Sequence, residues 1–185
     1  MDKNLTCIWL KGDTVSKGKW IEWYQDMANI IRRLGFEPNI MCGSFDDYEP
    51  QRWLTVARKE KAILRRVEEG DIPISLKIGY REDRDSWTWI EIWRRNRPLL
   101  KDMVLMMDTS ECCPIDPEEI VATMLKYIDI EYGEIFRCGG TFHHAGAYMV
   151  NRELSFKPGW LARNGTSYRN GVETLKIYKG EKHVE

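Results

Sequence analysis

The spacing of apolar residues changes along the chain, and each change predicts a helix or a strand. From Trp20 to Leu34 apolar side chains recur every three or four positions, which predicts one buried face of an amphipathic helix. Gly35 follows the last of them and is a typical helix stop. After Pro50 the same spacing returns, and Gly70 closes it, so a second helix is expected there. The predicted apolar face of this second helix consists of Trp53, Val56, Ala57, Leu64 and Val67.

A third helix is predicted from its start signal. Asp116 is a favourable cap, Pro117 suits the first helical position, and two acids occupy the first turn. The apolar stripe then runs from Ile120 to Ile128, and Gly133 is expected to end the helix.

Several strands are predicted from alternation or from short apolar runs. The alternating segments are 72–80 and 87–93, separated by a polar turn, so they form a hairpin. Met103 to Met107 is apolar throughout, which is typical of a central strand. Further strands are expected at 5–10, 135–142, 147–150 and 172–178. Helices and strands in segregated runs predict one α+β domain over residues 1–185, with a mainly antiparallel sheet packed against three principal helices.

Composition argues against several classes of protein. The 185 residues carry a formal net charge of −1, so no overall field favours nucleic acid or a membrane surface. The five cysteines are odd in number and lack CxxC spacing, which argues against a disulfide framework and a zinc site. No leader or membrane span is recognisable. We therefore expect a cytoplasmic protein that contacts neither nucleic acid nor membrane.

One short segment contains reactive side chains. Cys138 is followed closely by His143 and His144, and a thiol-dependent hydrolase or transferase would use Cys138 as nucleophile with either histidine as base. The simpler interpretation is a buried thiol beside two polar rings, because sequence proximity alone does not create catalytic geometry. Adjacent histidines on a strand point to opposite faces, so a shared metal ion is not expected. We predict no catalytic residues, no metal and no cofactor.

The aromatic hairpin strand has two interpretations. Trp87, Trp89 and Trp93 share one strand face, interrupted by Glu91. These rings are either core residues or an anchor for a protein partner, since Trp is enriched at interface hot spots. A stacking platform for bases is the weaker alternative, because basic residues do not alternate with the rings along this strand.

Two acidic segments are candidates for a partner-binding surface. The first segment consists of Asp46, Asp47, Tyr48 and Glu49, and the second of Glu82, Asp83 and Asp85. Acids in turns often serve only solubility and capping. As a functional alternative, carboxylates can occupy a cationic site on a partner and accelerate association.

The order of elements resembles a known family. An N-terminal strand, a Trp-bearing helix, the 72–93 hairpin, the helix that opens at Asp116, and a late Gly159-Trp160-Leu161 resemble the immunity protein 52 family of bacterial polymorphic-toxin and type VI secretion systems. The resemblance implies a non-catalytic cytoplasmic protein that neutralises a cognate toxin, for this family a nuclease of restriction-endonuclease-like fold. A non-catalytic adaptor for another partner would share the same surface features. The sequence does not indicate which oligomeric state the protein adopts.

Overall fold

The computed structural model describes residues 4–46, 53–82, 89–97, 100–108, 112, 114–139, 142–154 and 171–180. The strands are β1 Asn4–Asp13, β2 Ile40–Ser44, β3 Leu54–Thr55, β4 Ser75–Arg81, β5 Trp89–Arg97, β6 Leu100–Asp108, β7 Asp129–Gly139 and β8 Val172–Lys179. The helices are α1 Trp20–Arg33, α2 Val56–Glu68, α3 Pro117–Met124 and α4 Phe142–Leu154, with a 3₁₀ turn at Leu125–Tyr127.

All of these strands join one antiparallel sheet in the order β3-β2-β4-β5-β6-β1-β7-β8. The N-terminal strand β1 lies between β6 and β7, so it pairs with segments about 90 to 135 residues away along the chain. The α+β class and the mainly antiparallel sheet are therefore confirmed. The central position of β6 follows from its apolar sequence, since both of its faces are buried.

Helix α1 confirms its predicted stripe. Trp20, Trp23 and Met27 are buried, and the helix ends at Arg33 with Leu34 as its cap. Gly35 then adopts a φ of 101°, a left-handed conformation that favours glycine after a helix.

Helix α3 begins as predicted and ends earlier than predicted. The Asp116 carboxylate accepts a hydrogen bond of 3.0 Å from the backbone N–H of Glu118, which satisfies one free donor of the first turn. Gly133 does not end this helix, because it lies inside β7. A Cβ at Gly133 would lie 2.7 Å from Leu10 Cδ2, so close packing with β1 explains the glycine instead.

The prediction of three principal helices was wrong, because the expected strand at 147–150 belongs to the helix α4. Its buried residues Ala145, Tyr148 and Met149 follow three- and four-residue spacing, with exposed Ala147 and Val150 between and beside them. A short apolar run does not distinguish the two periods by itself.

The predicted face of α2 needs a similar correction. Trp53 lies before the helix, because the two-residue strand β3 comes between them. Its side chain is half-buried. Ala57 is exposed, whereas Ile63, absent from the predicted face, is the buried residue of the helix.

The sheet has two differently covered faces. Helices α1, α2 and α3 pack on the first face, over Ile8, Leu76, Ile92 and Leu105. Helix α4 packs on the second face, over a smaller apolar cluster around β1 and β7. None of the helices in the described segments is long and apolar enough to cross a membrane.

Candidate functional site

The second face of the sheet carries most of the buried polar chemistry. Strand register places Lys77, Trp93 and Val104 in one row across β4, β5 and β6, and Trp9 of β1 continues this row. The neighbouring row contains Gly79 and Glu91. The half nearer β8 lies under α4, and the half nearer β3 is formed by β2, β4 and β5.

Under α4, a buried carboxylate collects the polar groups of three elements. Glu134 of β7 accepts hydrogen bonds from the hydroxyls of Tyr132 at 2.6 Å, Tyr148 at 2.7 Å and Thr174 at 2.5 Å. The guanidinium of Arg152 forms an ion pair with it at 3.6 Å. Burial and the Glu134 carboxylate together raise the pKa of Tyr132 to about 12. This network ties α4 and β8 to β7.

A small cleft of about 150 Å³ opens beside this network. It is lined by Tyr148, Arg152, Val172, Thr174 and Ile177, so it lies between α4 and the edge strand β8. The polar lining groups already bond to each other and to Glu134, which leaves the cleft without an evident ligand.

Strand β8 is the last strand in the sheet order and is largely exposed. Leu175 is 40% exposed and Ile177 is 46% exposed, although both are large apolar residues. About half of the residues in an edge strand direct their N–H and C=O groups away from the sheet. Among the described strands, β8 therefore has a neighbour on one side only, and it carries exposed apolar side chains.

On the other half of the second face, a lysine lies close to two indole rings. The Lys77 ammonium nitrogen is 5.9 Å from the ring centre of Trp53 and 5.7 Å from that of Trp93. Burial lowers the pKa of Lys77, and Arg95 and Arg97 lower it further, while Glu91 opposes this effect.

Glu91 is the second buried carboxylate on this face. It is 8% exposed, lies across from Gly79, and accepts no hydrogen bond from the described residues. Burial raises the pKa of Glu91 to about 7, although Lys77 and Arg81 favour its charged form. A carboxyl group with such a pKa can hold or release a proton near neutral pH.

Arg95 and Asp102 form a more conventional pair beside it. The Arg95 Nε donates to Asp102 at 2.6 Å, and a second guanidinium nitrogen completes a bidentate contact. The Trp9 indole donates to the same carboxylate at 3.3 Å. Asp102 therefore neutralises Arg95 and is itself satisfied.

The two described residues of the predicted acidic segments, Asp46 and Glu82, lie apart. Asp46 follows the end of β2 that pairs with Ser75, whereas Glu82 follows the opposite end of β4. Given the strand rise, roughly 20 Å separates these two ends. Both residues are exposed. Asp47, Tyr48, Glu49, Asp83 and Asp85 lie outside the described residues.

The proposed thiol site does not assemble among the described groups. Cys138 is 2% exposed and packs in the cluster under α4 beside Cys7, whereas His144 is exposed on α4. Burial raises the pKa of the Cys7 thiol. The side chain of His143 lies outside the described part of the structure, as do Trp87 and the side chain of Trp89. Within the described residues, no three His, Cys, Asp or Glu side chains converge as metal ligands.

The sequence did not lead us to predict that Lys77, Glu91 and Glu134 are buried or half-buried charged residues on one face of the sheet. The available signal was a charged residue at alternating positions of an otherwise apolar strand, as in Trp89-Ile90-Glu91-Ile92-Trp93. That pattern also describes an ordinary solvent-facing position, so only the assembled sheet identifies these groups as buried.

Comparison with known proteins finds few similarities. No family model and no curated protein matches the chain, so membership of the immunity protein 52 family stays a prediction. Among solved structures, the fold is distantly similar to a type VI secretion system (T6SS) protein of Pseudomonas aeruginosa, with a TM-score of 0.41 and 8% identity. The similarity covers 85% of this chain and 47% of that protein, so this chain spans about half its length.

Proposed function

We propose that this protein is a non-catalytic immunity protein that binds and neutralises a cognate bacterial toxin. The family resemblance of the sequence implies this role. The single structural observation that supports it is the exposed eight-residue edge strand β8, with Leu175 and Ile177 on its surface.

Strand β8 exposes the apolar residues Leu175 and Ile177 and also carries the charged residues Glu173, Lys176 and Lys179. Proteins commonly protect sheet edges by shortening them, by charge or by covering them, because open edges recruit other chains. A partner segment that pairs with β8 would satisfy its outward backbone groups and cover both apolar side chains. The opposite edge, β3, has two residues in the described structure and leads directly into α2, so its described part offers much less pairing surface.

The acidic segments have a supporting role in this proposal. Charges that lie outside the main contact accelerate diffusional encounter with an oppositely charged partner. If the toxin is a nuclease, its active site is basic, and the two predicted acidic segments would steer association toward it. Direct contact is assigned to β8.

The test is co-expression with the product of the adjacent gene as the candidate toxin. We expect a stable complex on co-purification and survival of cells that express both proteins. Cys138→Ala should protect cells as well as the parent does, because a buried thiol has no role in binding. Absence of a complex with the purified toxin, or loss of protection in a folded Cys138→Ala protein, would overturn the proposal.

A further inference from the structure

The side chain of Lys77 belongs to β4 and lies on the second face of the sheet. It forms no ion pair among the described residues, although it is half-buried between Trp53 and Trp93. The indole faces attract a cation but accept only part of its hydrogen-bonding capacity. A half-buried ammonium group therefore retains donors that an anion would satisfy.

A second donor lies on the same face. The indole N–H of Trp93 is buried and has no hydrogen-bond partner in the part of the chain that the structure describes, while the residue as a whole is 8% exposed. Buried donors are nearly always satisfied in folded proteins, and an exception indicates strain or a missing partner. Trp93 lies directly across from Lys77 in the β4–β5 register, so the two residues share one site.

The charge of Lys77 indicates the class of ligand. Burial lowers the pKa of Lys77, Glu91 raises it, and Arg95 and Arg97 lower it further, while Arg95 itself pairs with Asp102. A half-buried ammonium group that forms no ion pair within the described part of the chain favours an anionic ligand.

From these contacts we infer that Lys77 and Trp93 form a binding site for a carboxylate on an acidic segment of a protein partner. The ammonium and the indole N–H donate to the carboxylate oxygens, and Trp53 packs beside the entering chain. Glu91 opposes an incoming anion unless it is protonated. This site is separate from the β8 edge, and it does not depend on the proposed function.

The test uses a short peptide of four glutamates with blocked ends, and inorganic phosphate in a parallel titration. Binding is followed by the indole ¹H–¹⁵N resonance of Trp93, assigned with Trp93→Phe. We expect a saturable shift with the peptide. Lys77→Gln should weaken binding about tenfold, since it removes the charged donor, and Lys77→Arg should retain most of it.

Two further variants separate a binding role from a structural one. Glu91→Gln should tighten peptide binding about threefold, because it removes the opposing carboxylate. Lys61→Gln, at an exposed position of α2, serves as the matched control and should change nothing. A folded Lys77→Gln protein with unchanged affinity, the absence of a saturable shift, or tighter binding of phosphate than of peptide would each overturn the inference.

Discussion

The two halves of the sheet each bury a glutamate on the same face, and the hydrogen bonding of the two glutamates differs. In the half that ends at β8, Glu134 receives three hydroxyl hydrogen bonds and an ion pair from Arg152. In the half that ends at β3, Glu91 is nearly as buried and accepts no hydrogen bond from the described residues. The first acid is stabilised in place, whereas burial raises the pKa of the second to about 7.

This difference distinguishes a buried acid that stabilises the fold from a buried acid of the kind found at functional sites. A buried carboxylate with a complete set of donors stabilises the elements that supply those donors. A buried carboxylate without them reduces stability once it is charged, and such groups concentrate at binding and catalytic sites. The two sheet edges also differ. The long edge strand β8 borders the half that contains the hydrogen-bonded Glu134, and the short edge strand β3 borders the half that contains Glu91.

The largest expected effect is on stability, from Glu134→Ala. Removal of this acid leaves three hydroxyls and Arg152 without their shared partner, which should reduce the free energy of unfolding by about 3–5 kcal/mol. Urea unfolding measures this loss, and amide hydrogen exchange should increase in β8 more than in β4. Glu131→Ala, at an exposed position of the same strand, is the control and should cost less than about 0.5 kcal/mol. A loss no larger than that of the control would mean that Glu134 does not hold this half together.

The next largest effect concerns the β8 edge itself. Replacing both Leu175 and Ile177 with Lys should lower toxin affinity about 100-fold, because charges oppose strand addition and remove the apolar contact. The melting temperature should remain close to that of the parent, since both side chains are exposed. Calorimetry or surface binding measures the affinity. Ile72→Lys, which changes an apolar residue that is 60% exposed elsewhere, should bind normally. Retained affinity in the double variant would move the interface away from β8.

The third prediction concerns Glu91 and pH. Its folded-state pKa of about 7 lies above its ordinary value of 4.5, so the folded protein holds this proton more tightly than the unfolded chain does. The stability associated with the proton is complete below pH 4.5 and is lost as pH rises to 7, with a total of about 3 kcal/mol. Glu91→Gln should remove this pH dependence and be the more stable protein at pH 8. Urea unfolding of both proteins at pH 5 and pH 8 provides the measurement. Equal slopes in the two proteins would contradict the buried, unsatisfied state of Glu91.

The smallest expected effect concerns the first acidic segment. Changing Asp46, Asp47 and Glu49 to Lys should slow association with the toxin about threefold at low salt and leave dissociation unchanged. The difference should shrink as salt shortens the Debye length from about 10 Å at 0.1 M to about 3 Å at 1 M. Stopped-flow binding at both salt concentrations tests this. Complete loss of protection in a folded triple variant would instead place the main contact in the acidic segment, as the composition of that segment predicts.

The sequence by itself determined the elements whose signals are local. The α1 stripe from Trp20 to Leu34, the Asp116-Pro117 start of α3 and the apolar strand around Met103–Met107 all appear where they were predicted. Helical periodicity, capping and double-sided burial each depend on neighbouring residues, so a single sequence contains them.

Only the tertiary structure decided the positions of the chemically interesting groups. Antiparallel pairing places Trp9 within hydrogen-bond reach of Asp102, 93 residues away, and brings Tyr148 of α4 to Glu134 of β7. It also leaves β8 at an edge while β6, with a comparable strand signal, lies inside the sheet. Alternation tells which residues share a face of one strand, but the neighbours across the sheet are set by non-local pairing. The local patterns were therefore sufficient to predict an α+β fold. The burial of Glu91 and Glu134 and the exposure of β8 depend on which strands pair, so only the assembled sheet determined them.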